Sequence, residues 1–371
     1  MFLGIDTSNY TTSAALFDDK NGIVIQQKKL LPVKEGELGL RQSDAVFSHV
    51  KQLGEIVEKL TDGERYEIEG IGVSTRPRDI EGSYMPCFMV GDMVTKTISS
   101  VLNVKRYEFS HQQGHIAAAL FSAKRLDLMN EKFIAFHLSG GTTEALLVTP
   151  DENRIIKCEK IAGSADLKAG QAVDRVGVML GLPFPAGKYL EELALLSTAS
   201  FKIKPTMKCN ECCLSGIENK CRKMLDSGEK REDIALFCLK SVEAALCGMT
   251  DALISEYGKL PLIYAGGVMS NKIIRKTIEE KYGGIFALPE FSSDNAAGIA
   301  VLASIASSVP NAYCTPGYAT NNYILCTHKA LHHQLDKNKD NAVYKNVYCH
   351  HQSTHPQAAQ LQLALNKIFL L

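Results

Sequence analysis

Apolar and polar positions alternate in short runs at the start of the chain. FLGID (2–6), SAALFD (13–18) and GIVIQQKKL (22–30) read as three strands separated by turn residues. From Asp44 to Leu60 the period changes to a helical one, with Val46, Val50, Leu53, Ile56, Val57 and Leu60 on the repeating positions. GIGVS (70–74) predicts a Gly-bounded buried strand, Cys87 to Leu102 a second helix, and VKRYEF (104–109) a further strand.

The same order then returns. FIAFHL (133–138), EALLVT (144–149) and RIIKCEKIA (154–162) predict another three strands. Helices are expected over 169–181, 188–196 and 231–257, a strand at PLIYAGG (261–267), and helices from Lys272 to Lys281 and from Asp294 to Ser307. Three strands followed by alternating helices and strands, given twice, predict an α/β protein of two related lobes. We place the N-terminal lobe at 1–118, completed by the helix over 294–307, and the C-terminal lobe at 119–293. A cleft between such lobes is the expected ligand site.

Composition adds limits. With 371 residues, 45% apolar and 22% charged, the chain can bury a sizeable core. Forty-one basic residues balance forty-one acidic ones, which removes any global electrostatic pull toward nucleic acid or membrane but leaves local patches open. Lys105, Arg106, Lys124 and Arg125 are one such candidate for phosphate contacts; a solvated face is the plainer reading. No apolar run reaches the roughly 18 residues of a membrane span. The start, MFLGIDTSNY, lacks a basic segment, so no secretory signal is expected. Eleven cysteines in a chain this long read as reduced thiols of a cytoplasmic protein. Residues 311–371 differ: they hold six of the ten His and one of the 28 Gly, with no Glu or Arg. We read them as an appended, atypical tail. Its irregular histidines are either biased composition or a metal-binding tract.

Chemistry concentrates in a few segments. GIDTSNYTTS (4–13) and LSGGTTEALL (138–147) occupy matching places in the two halves. Each is either a phosphate-holding turn or a plain hairpin. YAGGVMSN (264–271) is a strand–Gly–helix passage, fit for a nucleotide or an ordinary capped turn. In SHQQGHIAAAL (110–120), His111 and His115 share one helical face, and Asp294 in FSSDNAAGIA adds an oxygen donor. Two imidazoles and a carboxylate suit zinc or iron and leave coordination positions open. Gln112 stands where a metalloprotease of H-E-x-x-H type needs its glutamate, which argues against proteolysis. Cys209, Cys212, Cys213 and Cys221 contain a single C-x2-C pair, so free thiols or a metal site both stay open.

Taken together these segments resemble the tRNA threonylcarbamoyladenosine transferase family, formerly called O-sialoglycoprotein endopeptidases. The resemblance runs from about 2 to 307 and rests on SHQQGHIAAA, SGGTTEALL, LGLPFPAGKYLEELA, YAGGVMSN and SDNAAGIA in order. It implies the two-lobed fold of actin-like ATPases and sugar kinases, with a nucleotide cleft between lobes. It implies one divalent metal, Fe or Zn, on His111, His115 and Asp294. It implies adenine-nucleotide contacts at His137, Leu138, Ser139, Gly140, Gly141, Asp174, Gly187, Glu191 and Asn271, with Asp174 and Glu191 on ribose and the Gly140–Gly141 backbone toward phosphate. Threonylcarbamoyl-AMP and tRNA would be its substrates, and proteins of a tRNA-modification complex its partners, with no membrane.

The chain departs from the family in places, as a divergent bacterial member would. The family's E-T-S-C-D-E-T loop is Asp6-Thr7-Ser8-Asn9-Tyr10-Thr11 here, and its G-P-G-L turn is Arg76-Pro77-Arg78-Asp79. Thr142, Gln171 and Arg175 replace its His, Glu and Lys. These changes keep a second expectation open: a metal- and nucleotide-binding paralogue, acting as ATPase, kinase or scaffold, without transferase activity.

Overall fold

The computed structural model describes residues 1–8, 10–32 and 40–309. Expectations for the tail, and for Asn9, lie outside the described residues. The first repeat contains β1 (Phe2–Ser8), β2 (Thr11–Asp18), β3 (Ile23–Leu30), α1 (Gln42–Thr61), β4 (Gly70–Arg76), α2 (Phe88–Leu102) and β5 (Lys105–Ser110). Its sheet has the order β3-β2-β1-β4-β5, antiparallel through the two hairpins and parallel from β1 to β5. α3 (His111–Ser122) follows β5 directly.

The second repeat begins with β6 (Phe133–Leu138), β7 (Thr143–Asp151), β8 (Ile155–Gly163), α4 (Ala169–Met179) and α5 (Gly187–Ala194). A small hairpin, β9 (Met207–Lys208) and β10 (Glu211–Cys212), leads to α6 (Ser215–Asp226) and α7 (Arg231–Tyr257). β11 (Leu262–Ala265), α8 (Lys272–Tyr282), β12 (Ile285–Phe286) and α9 (Ala297–Ser308) complete it. The second sheet is ordered β12-β11-β6-β7-β8. The leading hairpins of the two repeats share one register: Phe2 faces Phe17 as Phe133 faces Val148, and Thr7 faces Thr12 as Leu138 faces Thr143.

Strand alternation sorts the side chains into layers. Leu3 and Ile5 of β1 meet Leu53, Ile56 and Leu60 of α1 on the outer face of the first sheet. Phe2, with Tyr107 and Phe109, joins α3, α9 and the near face of the second sheet, including Phe133 and Val148. Ile134, Phe136 and Leu138 turn the other way, onto α4, α5, α7 and α8. α9 lies so close to the first sheet that a Cβ on Gly4 would meet Ala296 O and Ala300 N at 2.6 Å.

Four details depart from the sequence reading. β1 continues past Asp6 to Ser8, which leaves Asp6 fully buried inside a strand. The buried stripe of α1 is Ala45, His49, Gln52, Leu53, Ile56 and Leu60, while Val50 is exposed. The stripe is turned because His49 and Gln52 both bond to Thr12 of β2. α9 starts at Ala297, since Asn295 Oδ1 accepts from its amide and leaves Asp294 in the preceding turn. α6, β9–β10 and β12 were not foreseen at all.

Candidate functional site

Two sites emerge, one on each side of β6. The first begins with the pleat of β1, which sends Asp6 to the same face as Phe2 and Gly4. α3 starts opposite it, at the end of β5. Ser110 caps this helix in a reciprocal pair: its Oγ accepts from Gln113 N at 3.2 Å, and its own amide donates to Gln113 Oε1 at 2.8 Å. That start fixes His111 in the first turn and His115 one turn on.

His111 Nδ1 lies 3.1 Å from Asp6 Oδ1, and His111 Nε2 lies 2.9 Å from His115 Nε2. Asp294 Oδ1 closes the group at 3.4 Å from His111 Nε2 and 3.2 Å from His115 Nε2. Ser74 Oγ donates to Asp6 Oδ1, and Thr11 Oγ1 donates to Asp294 Oδ2 at 3.4 Å. His137 reaches the site from β6, with its ring centre 4.8 Å from that of His115.

The electrostatics is that of a cation between two acids. Burial pulls His111 down, but Asp6 and Asp294 outweigh it and raise its pKa to about 10. Burial pushes Asp6 and Asp294 up, and the histidines beside them hold both below the ordinary carboxylate range. Burial, with His115 nearby, lowers His137 to about 3, so it stays neutral.

A divalent ion fits this donor set. One donor atom each from His111, His115 and Asp294 lies within 4.8 Å of the others. Asp6 accepting from His111 Nδ1–H would leave Nε2 for the ion, the carboxylate–histidine arrangement that orients metal-ligating imidazoles. Asp6 Oδ2 is buried without a hydrogen-bond partner among the described residues, as befits a group that balances extra positive charge. This orienting role of Asp6 was missed by sequence reasoning; its signal was an acid inside an apolar strand.

The second site is a cavity of about 670 Å³, lined among others by Gly140, Asp174, Gly187, Glu191, Asn271 and Lys272. Asp174 Oδ1 accepts from Ala186 N at 2.8 Å, and burial raises its pKa against that bond. Glu191 Oε2 accepts from Lys272 N at 3.3 Å. Asn271 Oδ1 caps α8, accepting from Ile273 and Ile274 amides at 3.1 Å. Gly187 opens α5, and a Cβ there would find nothing closer than Val173 at 4.0 Å. Gly266 has φ +98°, and a Cβ on it would collide with Leu138 O.

The segment 137–141 is divided between these sites. His137 faces the histidine–aspartate group, Leu138 is buried in the second core, and Gly140 lines the cavity. Ser139 ties the turn together: its Oγ accepts from Thr142 N at 3.1 Å and its carbonyl accepts from Gly170 N at 3.1 Å. Gly141 is exposed at the turn's tip.

Other flagged residues have structural partners. Arg78 pairs with Glu144 at 3.0 Å and Arg154 with Asp79 at 3.0 Å, so the altered loop after β4 is joined to β7 and to the turn leading into β8. Gln112 donates to the same Glu144 at 3.1 Å. Arg106 is buried between Asp92 and Glu108, which removes it from the candidate phosphate contacts, whereas Arg125 is partly exposed and pairs with Asp127 at 2.9 Å. Cys212 and Cys221 are buried in the core, Cys209 is exposed, and all three are free thiols, as is Cys213.

Solved structures share this architecture. Component A of the Acidaminococcus fermentans (R)-2-hydroxyglutaryl-CoA dehydratase is 16% identical with a TM-score of 0.50, over 81% of this chain and 96% of that one. Full-length HypF, in a phosphate- and nucleotide-bound form, is 14% identical with a TM-score of 0.53, over 84% of this chain and 47% of that one. HypF of T. kodakarensis gives 13% and 0.52, over 83% and 48%. The fold is therefore that of the actin-like ATPase and sugar-kinase superfamily, here with a two-histidine, one-carboxylate group beside its cavity. Within it the assignment is sharper. The TsaD profile, tRNA N6-adenosine threonylcarbamoyltransferase, matches residues 25–301, and the chain belongs to that family.

Proposed function

We propose that this protein transfers a threonylcarbamoyl group from threonylcarbamoyl-AMP to the exocyclic amine of the adenosine next to a tRNA anticodon. The observation that carries this reading is the division of one strand–turn. His137 and Gly140, three positions apart, face the donor group and the cavity respectively. At ~3.3 Å per residue, a ligand spanning that distance is the size of a nucleotide with an acyl substituent. The adenosine would lie in the cavity, with Asp174 and Glu191 toward the ribose and the Gly140–Gly141 backbone toward the phosphate. The carbamoyl end would lie toward His111, His115 and Asp294, which would hold one iron or zinc ion. That ion would supply Lewis acidity and a template for the carbonyl. The tRNA amine attacks the carbamoyl carbon, a proton leaves the amine, and AMP departs with the bonding pair. Binding both reactants between the sheets keeps water from the mixed anhydride.

The family supports tRNA as substrate; partner proteins of a modification complex are part of the proposal. Among the described residues no helix is long and apolar enough to cross a membrane; a cytoplasmic location is part of the proposal. The test is nucleoside analysis of tRNA from cells in which this chain is the sole family member. Threonylcarbamoyladenosine at normal levels is the expected result, and its absence would refute transfer.

One observation favours a second reading. The Arg78–Glu144 and Arg154–Asp79 pairs lock the loop after β4 onto the second sheet beside the Gly140 turn. A paralogue that binds metal and nucleotide without transfer accounts for such a lock. Adenylate-analogue binding with unmodified tRNA would select it. Proteolysis has no support: Gln112 carries no base and is engaged by Glu144.

A further inference from the structure

The cysteine segment singled out in the sequence takes no part in the site described above, yet it carries a charge pattern of its own. Between 202 and 223 the chain holds six cations, Lys202, Lys204, Lys208, Lys220, Arg222 and Lys223, against two acids, Glu211 and Glu218. All six cations are exposed. Glu218 is taken by Arg175 of α4 at 3.2 Å. Among the described residues, none of the six side chains forms an ion pair or a hydrogen bond. The basic residues of 105–125 differ, since Arg106 is buried between two acids and Arg125 pairs with Asp127. Like charges gathered on one face repel one another, and a polyanion relieves that repulsion.

Two elements bring these charges together. On α6, Gly216, Lys220 and Lys223 recur at i, i+4 and i+7, a stripe beside the buried Ile217 and Cys221. Lys204 and Thr206, just ahead of β9, line the same cavity as Gly216 and Lys220. That cavity measures about 240 Å³, below the roughly 300–1,000 Å³ of small-molecule sites. It is a notch with a lysine from each element rather than an enclosure for a free ligand. Among the described residues, no exposed large apolar side chain falls between 197 and 287, whereas α1 and α2 present several. Protein interfaces and membrane insertion both draw on such side chains. Nucleic acid does not: Lys and Arg neutralise its phosphates and release their counterions. α6 also adjoins the ligand cavity through α4, whose Arg175 holds Glu218 and whose Asp174 lines that cavity.

We propose that this face, with Lys204, Lys220 and Lys223 at its centre, binds the sugar–phosphate backbone of the tRNA whose adenosine is modified. The inference rests on the transferase reading for the identity of the RNA. Phosphate contacts fix register and orientation without reading bases. The face therefore positions the tRNA, one helix away from the cavity, and leaves the choice of base to other residues.

The test is binding of fluorescently labelled, unmodified tRNA to the full chain, followed by anisotropy over a series of salt concentrations. Wild type is compared with Lys204→Gln, Lys220→Gln and Lys223→Gln combined, and with the rival pair Lys105→Gln and Lys124→Gln. The triple variant should bind roughly 10- to 100-fold more weakly near 0.1 M salt, and its slope of log K against log salt should be shallower by about 2–3. The rival pair should keep wild-type affinity, and thermal melting should be the same in all three, because the altered side chains are exposed. Exposed Cys209, next to Lys208, gives a second readout. Bound tRNA should slow its alkylation by maleimide severalfold, read by mass mapping of its peptide. Wild-type affinity and slope in the triple variant, loss confined to the rival pair, or unslowed alkylation of Cys209 would overturn this face and leave the transferase reading intact. Loss of binding to anionic phospholipid vesicles with tRNA binding unchanged would give the face to a membrane and overturn it as well. A wild-type chain with no affinity for tRNA would overturn both this face and tRNA as the substrate.

Discussion

The hairpins β1–β2 and β6–β7 are the same frame filled in two ways. Their registers coincide, so Asp6 and His137 occupy equivalent positions, and both point at the histidine–aspartate group. Gly4 is matched by Ala135, and the Ser8 carbonyl by the Ser139 carbonyl. The first turn is held by a side chain: His49 Nε2–H donates to Ser8 O at 2.9 Å. The second is held by backbone: Gly170 N donates to Ser139 O at 3.1 Å. A Cβ on Gly170 would meet Gly140 N at 2.6 Å, so that closer approach needs glycine. The first hairpin thus builds a packed polar wall, and the second builds a thin turn with a cavity beside it. Duplication supplied the positions; the difference in filling puts a buried acid against His111 in one repeat and leaves a cavity beside the turn in the other.

The largest expected effect tests where the two hairpins converge. Replacing both His111 and His115 by Ala removes two of the three donors, and stoichiometric metal should be lost entirely. Elemental analysis of the purified variant checks this; unchanged metal content would move the site elsewhere. Next comes the Gly4–Ala135 contrast. Gly4→Ala drives a methyl into the backbone of α9, at an expected cost of about 3 kcal/mol. Ala135→Gly loses a buried methyl and stiffens nothing, at about 1–2 kcal/mol. Urea unfolding of the two variants reads the difference. Equal losses would show that α9 can shift off the first sheet and that the hairpins are interchangeable.

Much of this frame was legible because strands alternate and helices repeat locally: the three-strand openings of both repeats, α1, α2, α7 and α8 all carry strong local patterns. α6 escaped notice because its buried side chains among the described residues are just Ile217 and Cys221. β9, β10 and β12 are two residues each, below any periodicity. The candidate metal-binding group was legible as a pair four apart plus a motif acid, and the structure brings these three together. Asp6 was not, because its partner His111 lies 105 residues away. The same holds for Arg78 and Glu144, 66 apart, whose pairing turns two apparent losses of glycine into a contact.

A mid-sized effect tests the cavity side of the comparison. Asp174→Ala should weaken adenine-nucleotide binding by roughly 10- to 100-fold, from loss of a charge-assisted bond of about 1.5–3 kcal/mol. Asp174 also accepts from the Ala186 amide, so the alanine variant loosens the loop before α5 as well. Asp174→Asn keeps that acceptor and removes the charge. Calorimetry showing weak binding in Asp174→Asn at wild-type stability would assign the effect to the ligand. Gly187→Val should match it, because its side chain would stand in the cavity rather than against protein. Wild-type affinity in both would take the nucleotide out of this cavity.

The smallest effect separates the two turns by pH. Burial lowers the pKa of His49 below its ordinary 6.5, while the Ser8 carbonyl and Asp6 pull it part of the way back. A histidine depressed in the folded state binds its proton more readily once unfolded. Its contribution is therefore complete above pH 6.5 and declines as the pH falls toward the folded value. The neutral ring donates from Nε2 to Ser8 and accepts at Nδ1 from Thr12 Oγ1 at 2.7 Å. Protonation of Nδ1 sends the Thr12 proton to Gln52 Oε1, 3.0 Å away, and leaves a cation buried beside the turn, which is the main cost. The Gly170 amide in the second repeat has no proton to gain. Acid should therefore loosen the Ser8–Thr11 turn and leave the Ser139–Thr142 turn unchanged. Hydrogen exchange of peptides covering 2–18 and 133–151, at pH 8 and pH 5.5 with exchange times corrected for the intrinsic pH dependence, reads both turns in one sample. His49→Ala should cost about 1–3 kcal/mol at pH 8, from the unpaired Ser8 carbonyl and the cavity left by the ring, and less at pH 5.5; Thr12 keeps Gln52 as a partner. A penalty that stays constant with pH, or equal loosening of both turns, would show that His49 does not carry the difference.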